Sequence, residues 1–183
     1  MTCIVGLIDN GNIWIGGDSA GIRGTELIIR KDPKVFRSGD FVIGYSSSFR
    51  MGQLLAHAFT PPARDQSLDV YSYMVTVFVD ALRSCFKNGG YAEKQNEAER
   101  GGTFLVGYEK RLFCIEGDYQ VGENADGYAA CGSGAVIALG SLYSTIGQAP
   151  QARVLLALEA AEHFSTEVCA PFQILSSTII FSD

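Results

Sequence analysis

The N-terminal stretch constrains the fold of this chain more than any other part of the sequence. Residues 3–8 and 12–17 are rich in β-branched and apolar residues, and they flank Asp9-Asn10-Gly11. Because Asn and Gly tolerate the positive φ angles of tight hairpin turns, this pattern predicts a β-hairpin. Chain termini are usually frayed, yet here a strand is expected to begin at residue 3. The N-terminus is therefore predicted to be built into the fold.

The remainder of the chain alternates between groups of strands and groups of helices. Further strands are predicted at residues 26–30, 35–37, 41–45, 103–108, 112–116, 128–131 and 177–181. Helices are predicted over residues 49–59, 69–88, 134–143 and 151–164. Consecutive strands joined by short turns imply antiparallel sheets with the helices outside them. We therefore expect an α+β fold, a four-layer αββα sandwich with two antiparallel sheets, formed by residues 1–183 as a single domain.

Composition excludes several classes of protein. The 183 residues are 47% hydrophobic and 19% charged, which suits one domain with a substantial core. A net charge of −6 without any basic run argues against a nucleic-acid partner. Because no stretch reads as a signal peptide or reaches the roughly 18 apolar residues of a membrane span, we expect a cytoplasmic protein without membrane contact.

The cysteines do not form a metal-binding or redox motif. They number five, they are widely scattered, and no C-x-x-C pair occurs among them. We interpret them as buried thiols in a reducing compartment.

Thr2 is the first candidate for chemistry. Methionine before a small residue is normally removed, which would leave a free α-amine and a hydroxyl on Thr2. An α-amine with a pKa of roughly 7.7 to 8.0 can accept the hydroxyl proton near neutral pH, so one residue would supply both base and nucleophile. On its own, Thr2 is more simply explained as a small second residue. Cys3 could act as the nucleophile only if Thr2 were also removed.

Two further residues favour a catalytic role for Thr2 over the simpler explanation. The segment "GGDSA" places Asp18 at the end of the second hairpin strand, and "KDPKVF" supplies Lys34 before another apolar strand. Either residue alone would be read as part of a surface ion pair. Together with Thr2, they resemble the pattern of the proteasome β-subunits and their bacterial relative HslV, which are N-terminal nucleophile hydrolases. Counted from Thr2, Asp18 and Lys34 fall at the family offsets without a gap.

The resemblance implies roles for these and for further residues. Lys34 would be a cation beside Thr2, held by Asp18. The segment "VIGYSSSF" resembles the family stretch that offers a backbone N–H to the oxyanion, which makes Gly44 the expected donor; Ser47 departs from the family, which usually has a second Gly there. In "CGSGAV", Ser133 matches the serine that hydrogen-bonds near the threonine amine. No dinucleotide or P-loop motif surrounds it.

The last part of the chain carries two weaker matches. In "STEVCAPF", Glu167 corresponds to an acidic residue of the family, which is usually Asp. In HslV-like chains the same loop binds a monovalent cation through backbone carbonyls, which would here belong to Thr166, Cys169 and Phe172. No other cofactor is implied. His57 and His163 fall in predicted helices and are interpreted as structural.

The resemblance implies a threonine-type endopeptidase that hydrolyses peptide bonds. Such enzymes enclose their sites, so we expect a homo-oligomeric double ring of 12 or 14 subunits acting on peptides or unfolded proteins. The sequence has no ATPase motif, so a separate ATPase regulator would unfold substrates. Two alternatives remain: a catalytically silent ring subunit, and an N-terminal nucleophile hydrolase of small amides.

Overall fold

The structure is a computed structural model, and it describes residues 2–91, 93–95 and 98–178. The strands are β1 (Ile4–Asp9), β2 (Asn12–Gly17), β3 (Ala20–Arg23), β4 (Glu26–Ile29), β5 (Val35–Ser38), β6 (Phe41–Tyr45), β7 (Glu93–Gln95), β8 (Ala98–Arg100), β9 (Phe104–Tyr108), β10 (Arg111–Ile115), β11 (Val121–Gly122), β12 (Tyr128–Cys131) and β13 (Gln173–Ser176). The helices are α1 (Phe49–His57), α2 (Val70–Tyr73), α3 (Val79–Asn88), α4 (Ala135–Ser144) and α5 (Pro150–Phe164), with a π-helical segment, Met74–Phe78, between α2 and α3.

Two antiparallel sheets form the centre of the molecule. The first has the strand order β12-β1-β2-β13 and the second the order β11-β10-β9-β6-β5. Two short ribbons, β3-β4 and β7-β8, lie outside them. The predicted hairpin is confirmed: β1 and β2 pair from Ile4 opposite Gly17 to Asp9 opposite Asn12, and Asn10 and Gly11 both have positive φ at the turn.

The alternation of side chains along β1 produces the layers. Cys3, Val5 and Leu7 face helices α4 and α5, whereas Ile4 faces the second sheet. A further apolar cluster fills the space between the second sheet and helices α1, α2 and α3. The order is therefore helices, sheet, sheet, helices, and the predicted four-layer αββα sandwich is confirmed.

The helices begin and end where local sequence signals favour it. The Asp69 side chain accepts the Ser72 N–H at the start of the long helical region, and Gly89 and Gly90 follow its end. Pro150 begins α5 one residue earlier than predicted, because a proline is well suited to the first helical turn. No helix within the described ranges combines the length and hydropathy that a membrane crossing requires.

The final strand is the main error among the predicted elements. The chain pairs with β2 through Gln173–Ser176, so the strand begins four positions before the predicted Ser177. Residues 177 and 178 form a bend, and residues 179–181 lie outside the described residues. The predicted position followed the apolar run near the C-terminus, whereas the pairing with β2 decides the register. Prediction also missed the short strands β3, β7, β8 and β11.

Candidate active site

The hairpin brings Thr2 next to Asp18. Since Ile4 pairs with Gly17, the residues just before β1 lie beside those just after β2. The Cys3 N–H donates to Asp18 Oδ1 at 3.0 Å, and the Asp18 N–H donates to the Cys3 carbonyl at 3.3 Å. Their proximity thus follows from the register of one local turn.

Asp18 accepts hydrogen bonds from several parts of the chain. Its Oδ1 accepts from the Lys34 ammonium at 2.8 Å as well as from Cys3. Its Oδ2 accepts the backbone N–H groups of Ala20 at 2.9 Å and Cys169 at 3.4 Å. A side chain held by both oxygens has little freedom to rotate, so Asp18 is a fixed anchor for Lys34.

Lys34 joins Asp18 to the Thr2 hydroxyl. Its Nζ donates to Thr2 Oγ1 at 2.7 Å. Lys34 and Asp18 are each 2% exposed, and Thr2 is 3% exposed. Burial lowers the pKa of Lys34, because the ammonium loses its hydration, while the Asp18 charge acts in the opposite direction. The arrangement therefore directs positive potential at the Thr2 oxygen in a site shielded from water.

The Gly132-Ser133-Gly134 segment holds the backbone of Thr2. The Thr2 N–H donates to Ser133 Oγ at 3.1 Å, and the Gly134 N–H donates to the Thr2 carbonyl at 3.2 Å. Gly132 has φ +93°, and a Cβ there would lie 2.2 Å from the Thr2 carbonyl oxygen. The glycine is therefore required by the close approach to Thr2.

Gly44 is not positioned to stabilise an oxyanion, so this prediction is wrong. The Tyr45 N–H donates to the Lys34 carbonyl, and the Ser46 N–H donates to the Thr103 carbonyl. Because successive amides of a strand point to opposite neighbours, the Gly44 N–H points into the sheet towards Leu105. Gly44 instead allows close packing of the sheets, since a Cβ there would lie 2.6 Å from Ile4 Cγ2.

The amide of Ser47 is the better candidate. Ser47 follows β6 by two residues, and its N–H donates no hydrogen bond to the part of the chain that the structure describes. Tyr45, two residues before Ser47, donates its N–H to the carbonyl of Lys34, whose ammonium contacts the Thr2 hydroxyl. The loop that carries Ser47 therefore begins beside Lys34. The sequence signal was the replacement of the usual glycine by Ser47.

Glu167 lies in the connection between α5 and β13. It is partly buried, and its N–H donates to Ser165 Oγ at 3.2 Å. The same connection contributes the Cys169 N–H that reaches Asp18. Glu167 is thus brought into the neighbourhood of the site, and its role stays a prediction.

The proposed cation ligands lie in that connection as well. The Cys169 carbonyl already accepts the Ser19 N–H at 2.9 Å, so a cation would have to use its second lone pair. Within the described ranges, no group of His, Cys, Asp and Glu side chains could bind a metal ion. Binding through the carbonyls of Thr166, Cys169 and Phe172 stays a prediction, and we assign no catalytic step to it.

The other residues considered as nucleophiles or bases lie elsewhere or are unreactive. All five cysteines are unpaired, and burial raises the pKa of Cys3 to about 12, which keeps its thiol protonated. His57 lies in the last turn of α1, where it lines a cavity next to β5, and His163 lies in the last turn of α5, where its ring contacts Phe164.

A cavity of about 270 Å³ lies beside β5, the strand that follows Lys34. Its lining includes Asp32, Pro33, Phe36, Tyr45 and Gln53. Two of these residues directly precede Lys34, and the Tyr45 N–H donates to the Lys34 carbonyl. The cavity therefore lies next to the backbone of Lys34. Sequence reasoning missed it, because α1 and β5 are brought together only by the fold.

Comparison with known proteins gave matches of structure alone. No family model and no curated protein matches the sequence. Among solved structures, BPH of Thiobacillus denitrificans in complex with epoxomicin is 22% identical, with 95% of this chain and 97% of that chain covered and a TM-score of 0.79. HslV from Trypanosoma brucei is 16% identical, with 95% and 98% covered and a TM-score of 0.68. An Anbu (Gly-1) mutant from Hyphomicrobium sp. strain MC1 is 16% identical, with 100% and 85% covered and a TM-score of 0.70.

Proposed function

Because this chain has the fold shared by BPH, HslV and Anbu, the proteasome-type fold of N-terminal nucleophile hydrolases, we propose that it is a threonine-type peptidase. The observation that carries the proposal is the 2.7 Å hydrogen bond from Lys34 Nζ to Thr2 Oγ1 in a buried site anchored by Asp18. A surface ion pair would not explain why the lysine also donates to the second residue of the chain.

The reaction begins with attack by Thr2 after removal of Met1. Thr2 Oγ1 forms a bond with the peptide carbonyl carbon, and its proton passes to the Thr2 α-amine. The Lys34 ammonium stabilises the developing charge on the hydroxyl oxygen, and Ser133 Oγ orients the amine through their 3.1 Å contact. The carbonyl oxygen becomes an oxyanion, which the Ser47 N–H stabilises.

The second half of the reaction returns the enzyme to its starting state. The C–N bond breaks, and the leaving amine takes the proton from the Thr2 ammonium, which leaves an ester on Thr2. Water then attacks this ester and gives a proton to the α-amine. That proton returns to Thr2 Oγ1 as the C–O bond breaks and the peptide acid departs. No cofactor takes part in these steps.

Exposed apolar side chains support the proposal of a homo-oligomeric ring. Val136 is 82% exposed, Tyr143 72% and Phe164 74%, all on or at the ends of the outer helices α4 and α5. A single subunit would leave these side chains in water, and burial against further copies would remove them from it. Light scattering should give the mass of 12 or 14 subunits, and Val136→Glu combined with Phe164→Glu should reduce it.

A labelling experiment tests the proposed nucleophile directly. The BPH structure contains epoxomicin, so this compound is a suitable probe of the present chain. We expect hydrolysis of short fluorogenic peptides, blocked by epoxomicin with one equivalent of added mass on the N-terminal peptide that carries Thr2. Hydrolysis of small amides without any peptide cleavage would favour the small-amide hydrolase, and absence of both activities would favour a silent subunit.

A further inference from the structure

We propose that a hydrogen bond between the Ser47 side chain and Thr103, called the tether below, fixes the orientation of the Ser47 backbone N–H. A glycine at this position would leave that N–H free to reorient. The inference rests on the proposed function, because the orientation of this amide matters to the rate only if an oxyanion forms at Thr2. Ser47 acts here through its backbone, so its side chain is a positioning group and not a reacting one.

The backbone of Ser47 adopts a conformation that costs free energy. Its φ is +66°, in the left-handed region that glycine occupies readily and that an L-residue with a Cβ occupies rarely. Such a conformation persists only where the surrounding structure enforces it. Contacts that hold Ser47 in place are therefore expected.

Thr103 supplies those contacts. Its N–H donates to Ser47 Oγ at 3.0 Å, while its carbonyl accepts the Ser46 N–H at 3.1 Å and the Ser46 hydroxyl at 2.7 Å. Thr103, which directly precedes β9, thus holds two successive serines of the loop. The third serine has a separate role, since Ser48 Oγ accepts the Arg50 N–H at the start of α1.

The residue before Thr103 makes room for this tether. Gly102 is buried, and a Cβ at its position would lie 2.5 Å from Met51 Sδ, 2.9 Å from Ser47 Cβ and 3.1 Å from Ser47 Oγ. A side chain at 102 would therefore crowd both Met51 and the Ser47 side chain that contacts the Thr103 amide. The absence of a side chain at 102 and the presence of one at 47 are therefore complementary.

Two effects of replacing Ser47 oppose each other, and this makes the inference testable. Ser47→Gly relieves the unfavourable φ, so it should not lower the melting temperature, but it removes the tether and leaves the amide free to reorient. Ser47→Ala removes the tether and keeps the unfavourable φ. Ser47→Asn keeps an acceptor oxygen on a residue that tolerates positive φ, so it serves as the conservative rescue.

The measurements are kcat, KM, the melting temperature and the inhibition constant of a peptide aldehyde. Thr2 Oγ1 adds to the aldehyde carbon as its proton passes to the α-amine, and the aldehyde oxygen then occupies the oxyanion position. Removing an oxyanion donor costs about 10²–10³ in kcat, so a misplaced donor should cost less. For Ser47→Gly we expect kcat to fall about tenfold with KM unchanged, and the aldehyde to bind about tenfold more weakly.

Ser48→Ala is the matched control, because it removes a neighbouring hydroxyl that caps α1 and not one that contacts Thr103. It should lower the melting temperature and leave kcat unchanged, while Ser47→Asn should recover most of the kcat lost in Ser47→Ala. Ser47→Gly with wild-type kcat and aldehyde affinity would overturn the inference and leave the peptidase intact. An unmodified protein that neither cleaves peptides nor reacts with epoxomicin would instead remove the proposed function on which the inference rests.

Discussion

The Lys34 ammonium donates a hydrogen bond to the Thr2 hydroxyl at 2.7 Å, although 32 positions separate the two residues in the sequence. A lysine side chain is flexible and normally reaches water, so a fixed and buried position needs a partner. Asp18 provides that partner, since its Oδ1 accepts a hydrogen bond from the same ammonium at 2.8 Å. The chain thus stabilises a buried cation at the one hydroxyl that removal of Met1 would place beside a free amine.

The nucleophile can be tested by substitution at Thr2. We expect Thr2→Ala to abolish peptide hydrolysis, because no hydroxyl remains, and Thr2→Ser to retain a measurable part of it. The rate with a fluorogenic peptide and the intact mass of each variant are the measurements. Undiminished hydrolysis by Thr2→Ala would refute the assignment, and so would full activity of a protein that retains Met1, since the amine would then be blocked.

The buried ion pair should show strong energetic coupling. Asp18→Asn or Lys34→Met alone leaves one charge buried without its partner, and each should lower the free energy of unfolding by about 3–5 kcal/mol. The double variant should lose clearly less than the sum of the two, because neither charge is then stranded. Denaturant unfolding of all four proteins measures this coupling, and additive losses would mean that the two side chains do not interact.

The rate of peptide hydrolysis should first rise and then fall as the pH increases. The Thr2 amine must be neutral to accept a proton, so the rate should rise with pH up to about 8, near the ordinary pKa of an α-amine. Lys34 must be charged, and burial lowers its pKa from the ordinary value of 10.5, so the rate should fall again at a pH below 10.5.

The variant Lys34→Arg identifies the group behind the alkaline limb. A guanidinium stays protonated throughout this range, so any activity that this variant retains should lack the fall at high pH. The measurement is kcat/KM of the two proteins across the pH range. A fall at high pH that persists unchanged in Lys34→Arg would assign that limb to another group.

Gly132 should be essential to the site, in contrast to a glycine that contacts nothing. In Gly132→Ala the new Cβ would meet the Thr2 carbonyl oxygen at 2.2 Å on a backbone with φ +93°, so Thr2 should be displaced and kcat strongly reduced. Gly122→Ala is the matched control, because Gly122 lies in β11 and a Cβ at its position would meet nothing within 4 Å. The control should be active and slightly more stable, by up to about 1 kcal/mol. Equal activity of the two variants would show that Thr2 does not depend on this contact.

The sequence predicted those parts of the site that depend on local rules or on a shared pattern. The Asn10-Gly11 turn determines the pairing of β1 with β2, and that pairing alone places Asp18 beside Cys3. The offset of Lys34 and the Gly-Ser-Gly motif around Ser133 matched a known family pattern, and both residues lie against Thr2. These relationships did not require knowledge of how distant segments pack.

The remaining features depend on contacts between segments far apart in the chain. The hydrogen bonds between β6 and β9 decide which backbone N–H near the end of β6 is left without an acceptor. Only the structure could therefore identify the Ser47 N–H, and not that of Gly44, as the candidate oxyanion donor. The tether from Thr103, the Cys169 N–H on Asp18 and the position of β13 depend equally on long-range pairing. Periodicity and turn signals report short-range preferences, whereas the register between distant strands is decided by how complete layers pack, and that is a property of the folded chain as a whole.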